Sequence, residues 1–130
     1  MIHALNLRVY YEDTDLAGIV YYANYLKFIE RGRSEWVRGL GIDQGRLREV
    51  EGLVFAVRHL EADYLRPAKF DDLLRVETRV LRVTGARIVL AQEIFRGAEK
   101  IFAATVTLVC LTASGRAARL PAALAGLKGS

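Results

Sequence analysis

The amino-acid sequence predicts an α+β fold in which a curled antiparallel sheet wraps around one long helix. Three observations carry this expectation. Only one segment, about Tyr22 to Leu40, repeats apolar residues at helical spacing over several turns. From Leu53 onward, apolar residues alternate or run in strand-length blocks separated by Pro- and Gly-containing turns. A lone helix about as long as those strands can be covered only by a sheet that curls around it. With 52% hydrophobic residues, a chain of 130 can build that core as one domain spanning 1–130.

Taken in order, Ile2 to Tyr10 is short, apolar and tyrosine-tipped, and reads as a strand. Glu12 to Gly18 has turn composition. The helix follows, with Leu26, Ile29, Trp36, Val37 and Leu40 on one face and Lys27, Glu30, Arg31, Arg33, Glu35 and Arg38 elsewhere. Gly39 and Gly41 close it. Leu40 to Gly52 reads as a loop with at most one short turn. LVFAVRHLEADYL is a long strand ended by Arg66-Pro67. LLRVETRVLRV alternates with period two, placing Leu74, Val76, Thr78 and Val80 on one face and Arg75, Glu77 and Arg79 on the other. Thr84-Gly85-Ala86 turns into Arg87–Arg96, and Gly97-Ala98 turns into Lys100–Leu111, which completes an antiparallel meander. The tail from Ala113 holds at most a short terminal helix. Unpaired outer strands make edge-to-edge dimerisation the expectation.

Composition excludes several classes. No run approaches the ~18 apolar residues of a membrane span, and the N-terminus lacks the basic and apolar regions of a signal peptide. The single cysteine, Cys110, permits no intrachain disulfide, which fits a reducing, cytoplasmic setting. The net charge of +4 is dispersed, with arginines strung along the strands and no Lys/Arg run of three. That pattern argues against a nucleic-acid partner and allows an anionic small ligand. His3 and His59 fit no zinc spacing, E-D-x-D has too few ligands for a calcium loop, and there is no G-x-S-x-G. Neither a metal nor a cofactor is expected.

The informative stretch is YYEDTDLAGIVYYANY, Tyr10 to Tyr25. Asp15 is followed by Leu16-Ala17-Gly18-Ile19-Val20 and is expected among apolar neighbours, whereas Glu12 and Asp13 are expected on the polar, solvated side of the turn. Gly18 allows a tight turn and close ligand approach. The loop feeds into the start of the long helix, where unpaired N–H groups favour negative charge. A carboxylate beside oriented N–H donors suits hydrolysis of an activated carbonyl. Turn and capping roles for the three acids remain an alternative. Asn24 is expected to act as a cap or loop tie.

YYEDTDLAGIVYYANYLKFIERGRSEWVR, with ADYLRPAKFDDLLRVET at Ala62 to Thr78, resembles the hotdog-fold acyl-CoA thioesterases of the 4-hydroxybenzoyl-CoA thioesterase type. It is most similar to the branch associated with the Tol–Pal cell-envelope system. The resemblance covers nearly the whole chain and implies a sheet wrapped round one helix. It puts the catalytic acid of D-x-x-G-[IV]-V at Asp15 and the oxyanion-binding backbone N–H around Tyr22. The Tol–Pal branch commonly carries His where this chain has Tyr22, while the 4-hydroxybenzoyl branch carries Tyr. An acyl-CoA substrate implies an apolar acyl pocket, for which Ile19, Val20, Tyr21, Tyr22 and Tyr25 are candidates. It also implies cations for the CoA phosphates, drawn from Arg58, Lys69, Arg82 and Arg87, with Arg82 and Arg87 favoured beside the Thr84-Gly85 turn. The same resemblance implies a homo-oligomer, a dimer or tetramer, with an envelope or lipid-synthesis protein as a possible partner. Two other readings stand beside hydrolysis: a hotdog dehydratase, disfavoured because neither histidine lies in the stretch, and a non-catalytic acyl-CoA-binding or scaffold protein.

Overall fold

The computed structural model describes residues 1–127 and 129. Its elements are β1 (His3–Arg8), a 3-10 turn at Tyr11–Asp13, α1 (Asn24–Gly39), α2 (Gln44–Glu51), β2 (Leu53–Tyr64), β3 (Leu73–Val83), β4 (Arg87–Arg96), β5 (Glu99–Thr112), β6 (Ala117–Ala118) and α3 (Ala122–Ala125). All pairings are antiparallel. The long strands lie in the order β1-β3-β4-β5-β2, and β6 pairs with β5. The meander therefore covers β3 to β5, whereas β2 crosses over to pair with β5. The result is the expected hotdog arrangement, with α1 against the concave face of the sheet. Lys128 and Ser130, the end of the tail expectation, lie outside the described residues.

The period-two reading of β3 holds: Leu74, Val76, Thr78 and Val80 are all buried. They face the buried stripe of α1, formed by Phe28, Ile29, Gly32, Trp36 and Val37. Each fully buried side chain of that size contributes about 1.5–3 kcal/mol through removal from water, so the stripe fixes which face of α1 is inside. Gly32 sets how closely the helix approaches. A Cβ there would lie 2.7 Å from Val76 Cγ1 and 3.3 Å from Thr78 Oγ1. Gly32→Val is therefore expected to lower stability by about 1–3 kcal/mol through overpacking, read as an earlier denaturation midpoint with an unchanged slope.

One expected loop is a helix. Residues 44–51 form α2, because Asp43 caps its start by accepting from the Arg46 amide at 3.1 Å. Gly52 ends it in a left-handed conformation, φ 67°, its N–H bonding the Arg48 and Leu47 carbonyls. Only Leu47 of this helix is buried, so the apolar periodicity that marks α1 is nearly absent.

β1 and β2 end the sheet, each with one free edge among the described residues. β2 and the residue after it carry exposed apolar side chains at Val57, Tyr64 and Leu65. No described helix is long and apolar enough to cross a membrane.

Candidate active site

The acidic loop is built on Asp13. Its carboxylate is 5% exposed; Oδ2 accepts from the Tyr10 amide at 2.8 Å and Oδ1 from Asn24 Nδ2 at 2.7 Å. The Asp13 carbonyl accepts from the Tyr21 amide at 2.8 Å. Asp13 thus clamps the end of the β1 segment to the start of α1. This corrects the expectation that Asp13 is solvated, and it confirms Asn24 as a loop tie. The physical reason is long-range: Asn24 folds back over the turn and meets the carboxylate, which local composition does not disclose.

Asp15 stands the other way round. It is exposed, as are Leu16, Ala17 and Gly18. The expected apolar niche is therefore absent within a single chain. The loop around Asp15 is nevertheless ordered by hydrogen bonds. Asp15 Oδ1 accepts from the Ala17 amide at 2.9 Å, its amide donates to the Ile19 carbonyl at 2.9 Å, and its carbonyl accepts from the Gly18 amide at 3.0 Å. Gly18 adopts φ 79°, which explains glycine at this position. One carboxylate oxygen of Asp15 remains without a partner among the described residues, on a backbone that cannot drift freely.

A second loop, residues 65–72, braces the first. The Val20 amide donates to the Ala68 carbonyl at 2.8 Å, and Ile19 bridges Lys69. Tyr11 stacks on Phe70 with ring centroids 4.3 Å apart. The bracing loop is itself held by Arg96, whose Nη1 donates to the Pro67 carbonyl at 2.9 Å and to Asp72 Oδ2 at 2.8 Å, and whose Nη2 donates to Glu99 Oε1 at 2.8 Å. Those carboxylates push the Arg96 guanidinium above its usual range, the Glu99 and Asp72 hydrogen bonds being the main causes. Arg96, Asp72 and Glu99 were not anticipated from sequence; their union depends on strand register.

The start of α1 supplies the donors. Ala23, at the cap position, provides no side-chain cap, and the Tyr22 and Ala23 amides make no hydrogen bond among the described residues. Their directions are set all the same. The Tyr21 carbonyl accepts from the Asn24 amide at 2.8 Å, and the Tyr22 carbonyl accepts from the Tyr64 hydroxyl at 2.8 Å. In a planar trans peptide the N–H points opposite to its C=O. Pinning these two carbonyls therefore fixes the directions of the following two N–H groups, opposite to those carbonyls. Tyr64 is the unanticipated residue here.

The proposed pocket wall divides. Tyr21 and Tyr22 are exposed and Ile19 is half-buried, but Val20 and Tyr25 are each only 3% exposed. Those two are core residues of the chain rather than walls of an open pocket. Tyr25 stacks on Phe102 at 5.2 Å, and its hydroxyl accepts from the Ala68 amide at 3.0 Å. Burial pushes the Tyr25 phenol up, with the Ala68 hydrogen bond opposing. Arg82 and Arg87 are exposed at the far end of the sheet, about 30 Å along β3 from the Asp15 loop at ~3.3 Å per residue. The structure thus does not bring them to Asp15 within one chain; Lys69 is the cation that borders the loop. Among the described residues no group of three His, Cys, Asp or Glu side chains could hold a metal ion.

A hotdog sheet, an ordered loop with a free carboxylate, and two unpartnered backbone amides at the start of the central helix are the features expected from the thioesterase resemblance. Comparison with known proteins agrees. Residues 17–103 match the Thioesterase superfamily, and the chain belongs to that family. It is 48% identical over 105 residues to the acyl-CoA thioesterase YbgC of Haemophilus influenzae, covering 81% of this chain and 77% of that one. It is 38% identical over 106 residues to the acyl-CoA thioester hydrolase YbgC of Escherichia coli, covering 81% and 78%. A crystal structure of a probable thioesterase from Bartonella henselae superposes with a TM-score of 0.90 at 43% identity, covering 93% of this chain and all of that one, 100%. The family expected from the Tyr10–Arg38 pattern is the family found.

Proposed function

We propose that the protein hydrolyses an acyl-CoA thioester to a carboxylic acid and CoA, with Asp15 as general base or nucleophile. The observation that supports this is that the exposed Asp15 carboxylate and the unpartnered amides of Tyr22 and Ala23 lie on one hydrogen-bonded segment leading into α1. The amides hold the oxyanion as the thioester carbonyl becomes tetrahedral, while Asp15 activates water or attacks directly. The names of the YbgC relatives support the substrate class. The test is release of free thiol from a panel of acyl-CoAs. Binding without release would favour the non-catalytic acyl-CoA-binding scaffold instead.

Because Asp15 is exposed in one chain, the working site is dried by a second copy, docked through a free sheet edge. β2, with Val57, Tyr64 and Leu65 exposed, is the apolar choice. A dimer, or a tetramer of paired dimers, is therefore the working form, placed in the cytoplasm in keeping with a lone buried thiol at Cys110. An envelope or lipid-synthesis protein is the partner class implied by the Tol–Pal resemblance. Sedimentation is expected to give a mass at least twice 14.5 kDa at micromolar concentration; a folded monomer contradicts this.

Lys69 on the same chain, and Arg82 and Arg87 on the second copy, are assigned to the CoA phosphates. Lys69→Ala and Arg87→Ala are each expected to raise KM for CoA esters about 2–5-fold, the range of exposed ion pairs. kcat stays unchanged, as when uniform binding is lost. Thioesters lacking the nucleotide would show no such change; an equal rise with them removes the assignment.

A further inference from the structure

The chain returning from the Asp15 turn is paired on both sides. On one side Thr14 bridges Val20 antiparallel, and the Asp15 amide donates to the Ile19 carbonyl at 2.9 Å, which closes a hairpin with Asp15 near its tip. On the other side the Val20 amide donates to the Ala68 carbonyl at 2.8 Å, and Ile19 bridges Lys69. The place of Asp15 is therefore set by what holds Ala68.

Ala68 is held through one peptide plane, gripped at both ends. The Pro67 carbonyl accepts from Arg96 Nη1 at 2.9 Å. The Ala68 amide, on the opposite side of the same planar trans unit, donates to the Tyr25 hydroxyl at 3.0 Å. Arg96 ends β4, the middle of the five long strands, and is fixed in turn by Asp72 and Glu99. Tyr25 belongs to the first turn of α1 and stacks on Phe102 with the rings 6° from parallel. Sheet and helix thus meet at a single peptide.

A buried amide needs an acceptor. Here a side chain of α1 supplies it, which ties the loop to the helix whose start carries the Tyr22 and Ala23 amides. Ala68, Tyr25 and Val20 are all buried within one chain, so a second copy covering a sheet edge leaves these contacts in place. Burial pushes the Tyr25 phenol up. The Ala68 hydrogen bond and Arg96 oppose this, while Asp72 and Asp15 add to it. Asp15 is therefore within electrostatic reach of the clamp.

We propose, resting on the assignment of Asp15 as base or nucleophile, that Tyr25 and Arg96 are positioning residues for thioester hydrolysis. Through the Pro67–Ala68 peptide they hold the Asp15 hairpin in register with the start of α1, acting by way of the backbone rather than on the substrate.

The test is kcat, KM and melting temperature for Tyr25→Phe, Asp15→Asn and the double variant, on the acyl-CoA that wild type turns over fastest. Tyr25→Phe keeps the ring and its stack and removes only the hydroxyl. It is expected to lower kcat about tenfold, a loss within what small misplacement of a reacting group produces. KM is expected to change less than about twofold. In the Asp15→Asn background the same change is expected to cost less than about twofold in kcat, because the group it aims has already lost its charge. Its effect on melting temperature is expected to be equal in both backgrounds, since stability does not pass through the carboxylate. Wild-type kcat in a folded Tyr25→Phe, a rise in KM alone, or a full tenfold loss recurring in Asp15→Asn each overturns the proposal. Arg96→Lys, which cannot reproduce the planar fork, carries the same test if Tyr25→Phe does not fold. Wild-type turnover in Asp15→Asn alone overturns the role of Asp15 and this proposal with it, and it is read before either clamp residue is changed.

Discussion

Asp15→Asn is expected to lower kcat on acyl-CoA by about 10²-fold or more, the range contributed by a positioned base, with little change in melting temperature. Asparagine keeps the size of the side chain and retains an oxygen for the Ala17 amide. The loop therefore keeps its shape, while the charge that activates water or attacks the carbonyl is lost. An exposed side chain outside the core has little else to lose. The backbone donors at Tyr22 and Ala23 remain oriented in this variant, since the hydroxyl of Tyr64 and the amide of Asn24 still pin the preceding carbonyls. Some residual acceleration over solvent is accordingly expected.

Asp13→Asn is expected to do the opposite, lowering stability first and activity as a consequence. Both oxygens of Asp13 accept hydrogen bonds, from Tyr10 N–H and from Asn24 Nδ2. An asparagine must turn its own NH₂ toward one of these donors, whichever way it is flipped. A buried donor left unsatisfied costs about 1–3 kcal/mol, which corresponds to a melting temperature lower by roughly 5–10 °C. Turnover per folded molecule should fall far less than in Asp15→Asn. Two acids one residue apart thus separate by readout, one in the chemistry and one in the fold. Equal stability losses with normal turnover in both would restore the view that all three acids are turn and capping residues.

The fold was legible where local pattern and tertiary burial agree. β3 alternates because one of its faces lies on α1, and α1 shows its stripe because the sheet covers it along its length. The crossover of β2 to β5 leaves no local trace, since pairing partners are chosen by the whole sheet. α2 was hidden because only Leu47 is buried, although Asp43 and Gly52 stand where a cap and a left-handed terminus belong.

The site was legible by position but not by environment. Leu16 to Val20 suggest an apolar niche for Asp15, yet in the turn Leu16 is 105% exposed and Val20 points into the core. Asp13, flanked by Glu12 and Thr14, looks solvated and is buried by a residue eleven positions on. The brace through Arg96 and Asp72, and the tether from Tyr64 to Tyr22, join residues 24 and 42 positions apart. Such contacts follow from register and crossover, which no short window contains.

The central claim is that Asp15 performs the chemistry of thioester hydrolysis. Its most direct test is the rate of free thiol release per folded molecule from the best acyl-CoA of a panel, measured for wild type and Asp15→Asn at matched concentration. The account predicts measurable turnover in wild type and a fall of at least about 10²-fold in the variant, with CoA-ester binding retained. Near-wild-type turnover in a well-folded Asp15→Asn protein would contradict it.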